Sequence, residues 1–333
     1  MPAPLDLLCL GNAIVDVIAK TDEAFLRAQD VHKGAMQLID EARAEALYAA
    51  MGPATIVSGG SGANTAYGAA RLGAQVGFVG KVRDDQLGTL YSHELTAAGV
   101  RFDVEPATEG PATARSFILV TPDGERTMNT YLGACQGLAP DDLDEATASS
   151  ARFVYLAGYL WDPPAAKETF RKAVRLAHGA GNKVALTLSD AFCVGRYRDE
   201  FLGLIRDGSL DILFANIGEL KSLYQTDDAE AALTALAAEP KLLGVVTLSE
   251  EGAVVVGGGE REAVPASPVA EVVDTTGAGD LFAAGFLAGL AKSLPHADCA
   301  RLGCLAAGEV IQHLGARPQA DLAAMARDAG LLL

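Results

Sequence analysis

Short runs of Val, Ile and Leu recur from one end of this chain to the other with helix-like stretches between them, and this rhythm constrains the fold most. The runs are Leu5–Leu10, Val76–Val79, Phe153–Leu156, Val184–Leu188, Ile212–Ala215, Val245–Leu248 and Ala253–Val256. Each is apolar without alternation, the pattern of a strand buried on both faces of a mostly parallel sheet. Between them, Asp85–Ala98, Pro164–His178 and Ala229–Ala238 read as helices. Strand alternating with helix predicts an α/β fold built on a doubly wound, mostly parallel sheet. The 333 residues are accommodated by one large unit over positions 1–333.

Two segments break the rhythm. Residues 14–58 carry charged, helix-like stretches, and residues 100–131 contain β-prone runs punctuated by Pro111, Pro122 and Gly124. Asp123-Gly124 between Phe117–Val120 and Thr127–Tyr131 is a hairpin signal. Together these pieces predict a small β-rich lid assembled from parts distant in sequence.

Composition narrows the function classes. Half the residues are hydrophobic and 21% are charged, as in folded globular proteins. A net charge of −17 with no Lys/Arg cluster argues against a nucleic-acid partner, because a phosphate backbone needs a basic surface. A single nucleotide stays admissible, since helix N-termini and loop amides bind phosphate locally. Five cysteines without a Cys-x-x-Cys pair suggest reduced thiols rather than a disulfide framework or zinc site. Asp6 interrupts the apolar start, no basic leader is seen, and the longest apolar run, Leu281–Ala291, is far short of a membrane span. The expectation is a cytoplasmic protein without membrane partners, monomeric or homodimeric.

Three segments carry chemistry. Asp274-Thr275-Thr276-Gly277-Ala278-Gly279-Asp280 feeds an apolar helix. Small residues there let backbone amides approach a ligand, and the helix dipole adds positive potential, so the turn suits a phosphoryl group. Asp280, expected to stay ionised with a low pKa beside those amides, would be placed to accept a proton from an attacking hydroxyl. An isolated Gly-x-Gly-Asp is also what a plain helix cap looks like. Gly59-Gly60-Ser61-Gly62-Ala63-Asn64 opens a second helix, with Asn64 in its first turn and able both to donate to and accept from a diol, and with Gly73 as its stop. Gly11-Asn12-Ala13-Ile14-Val15-Asp16 ends the first strand, where open α/β sheets bind ligands, so Asn12 and Asp16 suit a polyol.

These segments together resemble the ribokinase and adenosine kinase family, the phosphofructokinase B type of carbohydrate and nucleoside kinases. Gly59–Gly73, continuing through Val76–Val82 to Asp84 and Gly88, is similar to its first signature, and Asp274–Asp280 to its second. The resemblance implies Asp280 as catalytic base, an anion hole of Gly277, Ala278 and Gly279 amides, and a sugar site lined by Asn12, Asp16, Gly60, Ser61 and Asn64. Asn216-Ile217-Gly218-Glu219 resembles the family's Asn-x-x-Glu motif, implying that Asn216 and Glu219 organise Mg²⁺ and the phosphates of ATP. Thr247 and Gly252 match the nucleotide side.

Within the family the likeness is closer to the adenosine kinases. Asn12 with Asp16, and the helix-rich insert Thr21–Met51, follow their pattern. By the same resemblance Arg126 is a phosphate-contacting arginine on a lid strand and Tyr159 stacks on a purine. Two positions depart from the family pattern: Ser61 replaces the Lys of ribokinases, and Ser249 stands where a glycine is usual beside the nucleotide. No Gly-x4-Gly-Lys-Ser/Thr loop exists, since Gly80-Lys81 is followed by Val82, and His93-Glu94 lacks the later His of a zinc hydrolase. Trp161 reads as a packing residue more than a pocket wall. The leading expectation is ATP-dependent phosphorylation of a nucleoside 5′-hydroxyl. A kinase for ribose or a ketohexose and a non-catalytic nucleoside sensor remain the alternatives.

Overall fold

The computed structural model describes residues 4–331. Fourteen strands follow in chain order: β1 (Leu7–Leu10), β2 (Ile14–Lys20), β3 (Met36–Leu38), β4 (Thr55–Gly59), β5 (Val76–Val79), β6 (Val100–Arg101), β7 (Ala114–Val120), β8 (Arg126–Tyr131), β9 (Phe153–Ala157), β10 (Lys183–Thr187), β11 (Ile212–Asn216), β12 (Leu243–Thr247), β13 (Ala253–Gly257) and β14 (Glu260–Val264). Nine of them form one sheet in the order β14-β13-β12-β11-β10-β9-β1-β5-β6. Its neighbours from β12 to β6 are parallel, whereas β12–β13 and β13–β14 are antiparallel.

The apolar runs behave as strands with two buried faces. In β1, Leu7 and Cys9 join the core beneath the helices Ser61–Arg71, Ala278–Ala291 and His296–Val310, while Leu8 and Leu10 join the core on the other face with the helices Pro164–Gly179 and Ala191–Arg206. All four are at most 2% exposed, so neither face of the strand tolerates a charge. Fully burying one such leucine contributes about 1.5–3 kcal/mol. This is a doubly wound α/β sheet of the ribokinase type. Trp161 packs against Phe170 and Phe201 and donates to Glu200 at 3.1 Å, a core role.

The other five strands make a second sheet, β3-β8-β7-β2-β4. β7 and β8 are an antiparallel hairpin in which Val120 faces Arg126 and Gly124 turns the chain at a φ of +82°. β2 runs parallel to β7 and antiparallel to β4, so β4 links this sheet back to the main body through Gly59-Gly60. A small core of Val17, Leu26, Leu47, Phe117 and Leu119 holds it against its two helices. One strand, β14, departs from the apolar pattern: Glu260, Arg261 and Glu262 are exposed because β14 is the edge of the large sheet, where charge is compatible with pairing on one side only.

Part of the negative charge serves the helices. Asp22, Asp40, Asp85, Asp144, Asp190, Asp228 and Asp321 each accept a backbone N–H at a helix start. Each such cap contributes about 1 kcal/mol and sits favourably at the positive end of the helix dipole. The five cysteines are buried, and none is bonded to another. Among the described residues no helix is long and apolar enough to cross a membrane.

Candidate active site

The site lies where β1, β2 and β4 meet the N-termini of the helices Ser61–Arg71 and Ala278–Ala291. The Ala278–Ala291 helix starts at Gly277, whose φ of +79° is accessible mainly to glycine; a Cβ there would stand 2.6 Å from the Cβ of Ala316. The chain therefore enters this helix by a turn that leaves its first amides facing outward. Among the described residues the Gly277, Gly279 and Asp280 amides donate to no protein group, whereas the Ala278 amide donates to Thr275 O at 3.2 Å. Of the three amides assigned to the anion hole, Gly277 and Gly279 are open and Ala278 is held by its own turn.

Asp280 is the third residue of that helix and does not cap it. Its Oδ1 accepts from Ser61 Oγ at 2.7 Å and its Oδ2 from Asn64 Nδ2 at 2.9 Å. Thr65 Oγ1 adds a bond to the Asp280 backbone carbonyl at 3.2 Å. The first turn of one helix thus fixes both oxygens of a carboxylate on the other, across 219 and 216 positions of sequence. Burial raises the Asp280 pKa above the ordinary carboxylate value, opposed by the Ser61 and Asn64 bonds and by the Arg317 charge. This departs from the expectation of a low pKa: desolvation outweighs the two hydrogen bonds and the Arg317 charge. Each oxygen keeps one lone pair for another donor.

Asp16 on β2 and Asn12 beside it stand next to the glycine pair. Gly59 leaves room for the Asp16 carboxylate, which would collide with any Cβ there, and Gly60, at a φ of +88°, packs directly on the Asn12 carbonyl. Burial pushes Asp16 up to about 7, with the Arg317 and Arg126 charges opposing and Asp280 and Asp274 adding to it. The Oδ1 atom of Asn64 is buried and has no hydrogen-bond partner among the described residues, which leaves an acceptor for a ligand. Ser61, expected to line the sugar site, spends its hydroxyl on Asp280 instead.

Arg126 reaches from β8 across to the turn before the Ala278–Ala291 helix, where its NH1 contacts Asp274 and Thr276. Its Nε and NH2 are buried without hydrogen-bond partners among the described residues, so part of the guanidinium fork remains available. Asp274 also accepts the Gly315 amide at 2.8 Å and the Thr276 amide at 3.0 Å, and these bonds with Arg126 draw its pKa down against burial.

Asn216 and Glu219 form a reciprocal capping box at the end of β11. Asn216 Oδ1 accepts the Glu219 amide at 2.8 Å, and Glu219 accepts from the Asn216 amide at 3.0 Å and from Asn216 Nδ2 at 2.6 Å. Glu219 is 5% exposed, and burial raises it to about 7. Among the described residues no cluster of three or more His, Cys, Asp or Glu side chains could hold a metal. A magnesium ion here would rest on phosphate oxygens and water, as that ion commonly does.

Thr247 ends β12, and Gly252, at a φ of +98°, makes the turn to β13. Ser249 between them has a φ of +55°, the left-handed region that glycine enters freely. Tyr159 follows β9; the residue is 36% exposed, and its hydroxyl donates to Ser189 O at 3.2 Å. Burial of the hydroxyl, with Asp190 beside it, raises its pKa, as do the charges of Asp280 and Glu219.

Arg317 had no signal in the sequence. It lies in a loop after the His296–Val310 helix, yet donates to Ser58 O, Ser58 Oγ and Ala63 O, each at 3.0 Å. Those acceptors lie 259 and 254 positions away, and only the folded chain reveals the link.

Comparison with known proteins gives the family. The description "pfkB family carbohydrate kinase" matches residues 5–322. The fold is similar to that of adenosine kinase from Sinorhizobium meliloti, 54% identical, with a TM-score of 0.92 over 98% of this chain and 100% of that one. It is equally similar to a probable sugar kinase from Rhizobium etli, 52% identical, with a TM-score of 0.94 over 99% of each chain. Adenosine kinase 2 of Arabidopsis thaliana is 27% identical over 93% of this chain and 94% of its own length. Matched almost end to end by that family description, the chain belongs to the pfkB family and is a kinase that uses ATP to phosphorylate an alcohol.

Proposed function

We propose that this kinase phosphorylates the 5′-hydroxyl of a nucleoside, adenosine foremost, producing AMP as a step of purine salvage in the cytoplasm. The observation that carries the reading is the Asp280 carboxylate, held by Ser61 and Asn64 on the helix that follows Gly60, where Asp16 and Asn12 pack against the Gly59-Gly60 pair. In this reading the acceptor ribose lies on Asp16, Asn12, the Gly60 backbone and the unpartnered Asn64 Oδ1, with its 5′-hydroxyl at Asp280. Ser61 and Asn64 fix the direction in which the carboxylate accepts the hydroxyl proton, so little reorganisation is needed at reaction.

ATP with Mg²⁺ supplies the phosphoryl group and screens its charge. The open Gly277 and Gly279 amides, the helix dipole and the free part of the Arg126 fork suit the anionic phosphoryl oxygens. Thr247, Ser249 and Gly252 form the turn assigned to the nucleotide, and the Asn216–Glu219 box holds the neighbouring helix start in place.

Tyr159, partly exposed, supports a base-bearing acceptor, because a flat aromatic face suits a purine. Ser61 supports it too, since it stands where ribokinases carry a Lys and its hydroxyl is bound to Asp280. The likeness to a probable sugar kinase keeps free sugars as the second reading. A non-catalytic sensor is disfavoured: burying an ionisable carboxylate is unfavourable, and binding alone does not require it. ADP release measured with ATP and a panel of adenosine, other nucleosides, ribose and fructose tests the assignment. Adenosine should give the highest kcat/KM; equal or better turnover of a free sugar overturns it.

A further inference from the structure

The Arg317 side chain ties together the two pieces of chain against which Asp16 and Asp280 are held. Its Nε and NH2 hold Ser58 on β4, and its NH1 holds Ala63 in the first turn of the Ser61–Arg71 helix. Ser58 adjoins Gly59, on which the Asp16 carboxylate rests, and Ala63 lies between Ser61 and Asn64, which hold Asp280. One guanidinium therefore spans the Gly59-Gly60 connection between the two sheets. It also lies 4.4 Å from the centre of the Tyr67 ring.

No carboxylate among the described residues comes within ion-pair distance of this guanidinium. Its hydrogen bonds go to neutral oxygens, and its charge remains to act on the nearby carboxylates. Arg126, the other cation facing Asp16, belongs to the second sheet and is already paired with Asp274. We propose that Arg317 is a positioning residue for phosphoryl transfer: it locks β4 to the first turn of the Ser61–Arg71 helix and supplies the core-side positive charge against which Asp16 and Asp280 work.

The electrostatic directions agree with the geometry. The Arg317 charge lowers the pKa of both Asp16 and Asp280 against the rise caused by burial, and burial in turn lowers that of Arg317. Other charged and titratable groups face the same atoms. Cys9 on β1, Tyr155 on β9, Tyr159 and Glu219 all feel the Asp280 charge. Asp274 raises Asp16. Tyr91 and Glu94 face Arg317, and Glu94 accepts the Ser58 amide at 2.6 Å. Among these neighbours of Asp280, Arg317 is the one cation.

This inference rests on reading Asp280 as the base. The test is kcat against pH, with saturating ATP and whichever alcohol the wild-type enzyme turns over fastest, for wild type, Arg317→Gln and Arg317→Lys. Gln keeps hydrogen-bond donors without charge; Lys keeps the charge without the fork. The acidic limb of Arg317→Gln should move up by about one pH unit, so that kcat falls by up to about 10-fold on the acidic side of the limb and the loss shrinks at alkaline pH. Arg317→Lys should keep the limb in place, lose kcat several-fold through the looser clamp and raise the acceptor KM. A loss in Arg317→Gln that is equal at every pH, or no loss, overturns the proposal. Should Arg317→Gln not fold, Arg317→Lys decides alone, and wild-type kinetics in that variant overturn the proposal. If Asp280→Asn is inactive while the Arg317→Gln limb stays put, this inference alone fails; if Asp280→Asn is active, the reading of the base fails.

Discussion

Replacing Asp16 by Asn should make the unliganded protein more stable at alkaline pH while weakening its hold on the acceptor. In the folded chain this carboxyl is raised from 3.8 to about 7, chiefly by burial. Between those values the folded state keeps a proton that the unfolded chain has released. Stability therefore falls as pH rises through this window, and the full penalty is present above pH 7. The gap corresponds to about 4 kcal/mol at 1.36 kcal/mol per unit, and residual solvent contact reduces it to on the order of 2–3 kcal/mol. Urea unfolding of wild type and Asp16→Asn at pH 5 and pH 8 measures it. The variant should be more stable at both pH values, by about 1 kcal/mol at pH 5 and about 2–3 kcal/mol at pH 8. Its acceptor KM should rise at least about 10-fold, as expected when a charged hydrogen bond is lost. A stability difference that is the same at both pH values, or a less stable variant at pH 8, refutes the electrostatic reasoning.

Ser61→Ala should reduce kcat by about 10-fold and move the acidic limb of its pH profile upward, because a bond to an ionised carboxylate contributes about 1.5–3 kcal/mol; an unchanged profile would mean that the 2.7 Å contact does not act on the base. Hydrogen exchange in residues 14–58 and 100–131 should slow when adenosine is added, since the second sheet is proposed to close over the substrate and exclude water. Unaltered exchange in both segments at saturation would count against a lid.

The large sheet could be read from sequence because its strands are buried on both faces: Val76–Val79 is β5 residue for residue, and Asp123-Gly124 turns the β7–β8 hairpin. β14 escaped that reading, as charged residues on an edge strand have no apolar signature. The Asp274–Asp280 turn and the Gly59–Asn64 turn are local patterns, so their residues were identifiable before the fold was known. What each side chain does there was not. Ser61 turns to Asp280, Ala278 spends its amide on Thr275, and Glu219 closes a capping box with Asn216. Arg317 sits in a motif-free loop, and its partners meet it only through tertiary packing. The raised pKa of Asp280 likewise depends on how deeply the packed helices bury it, whereas the local pattern suggested only the nearby amides.

The central claim is that Asp280 takes the proton of the acceptor hydroxyl, and the turnover of Asp280→Asn tests it most directly. Asn preserves size and leaves the helix start at Gly277 untouched, so circular dichroism and binding of the acceptor should be close to wild type. The basic oxygen is gone, and kcat should fall by about 10²–10⁴-fold or more, which is on the order of 3–5 kcal/mol of barrier. A folded Asp280→Asn enzyme that keeps roughly a third or more of wild-type kcat, far above the loss expected for a missing general base, would contradict the account.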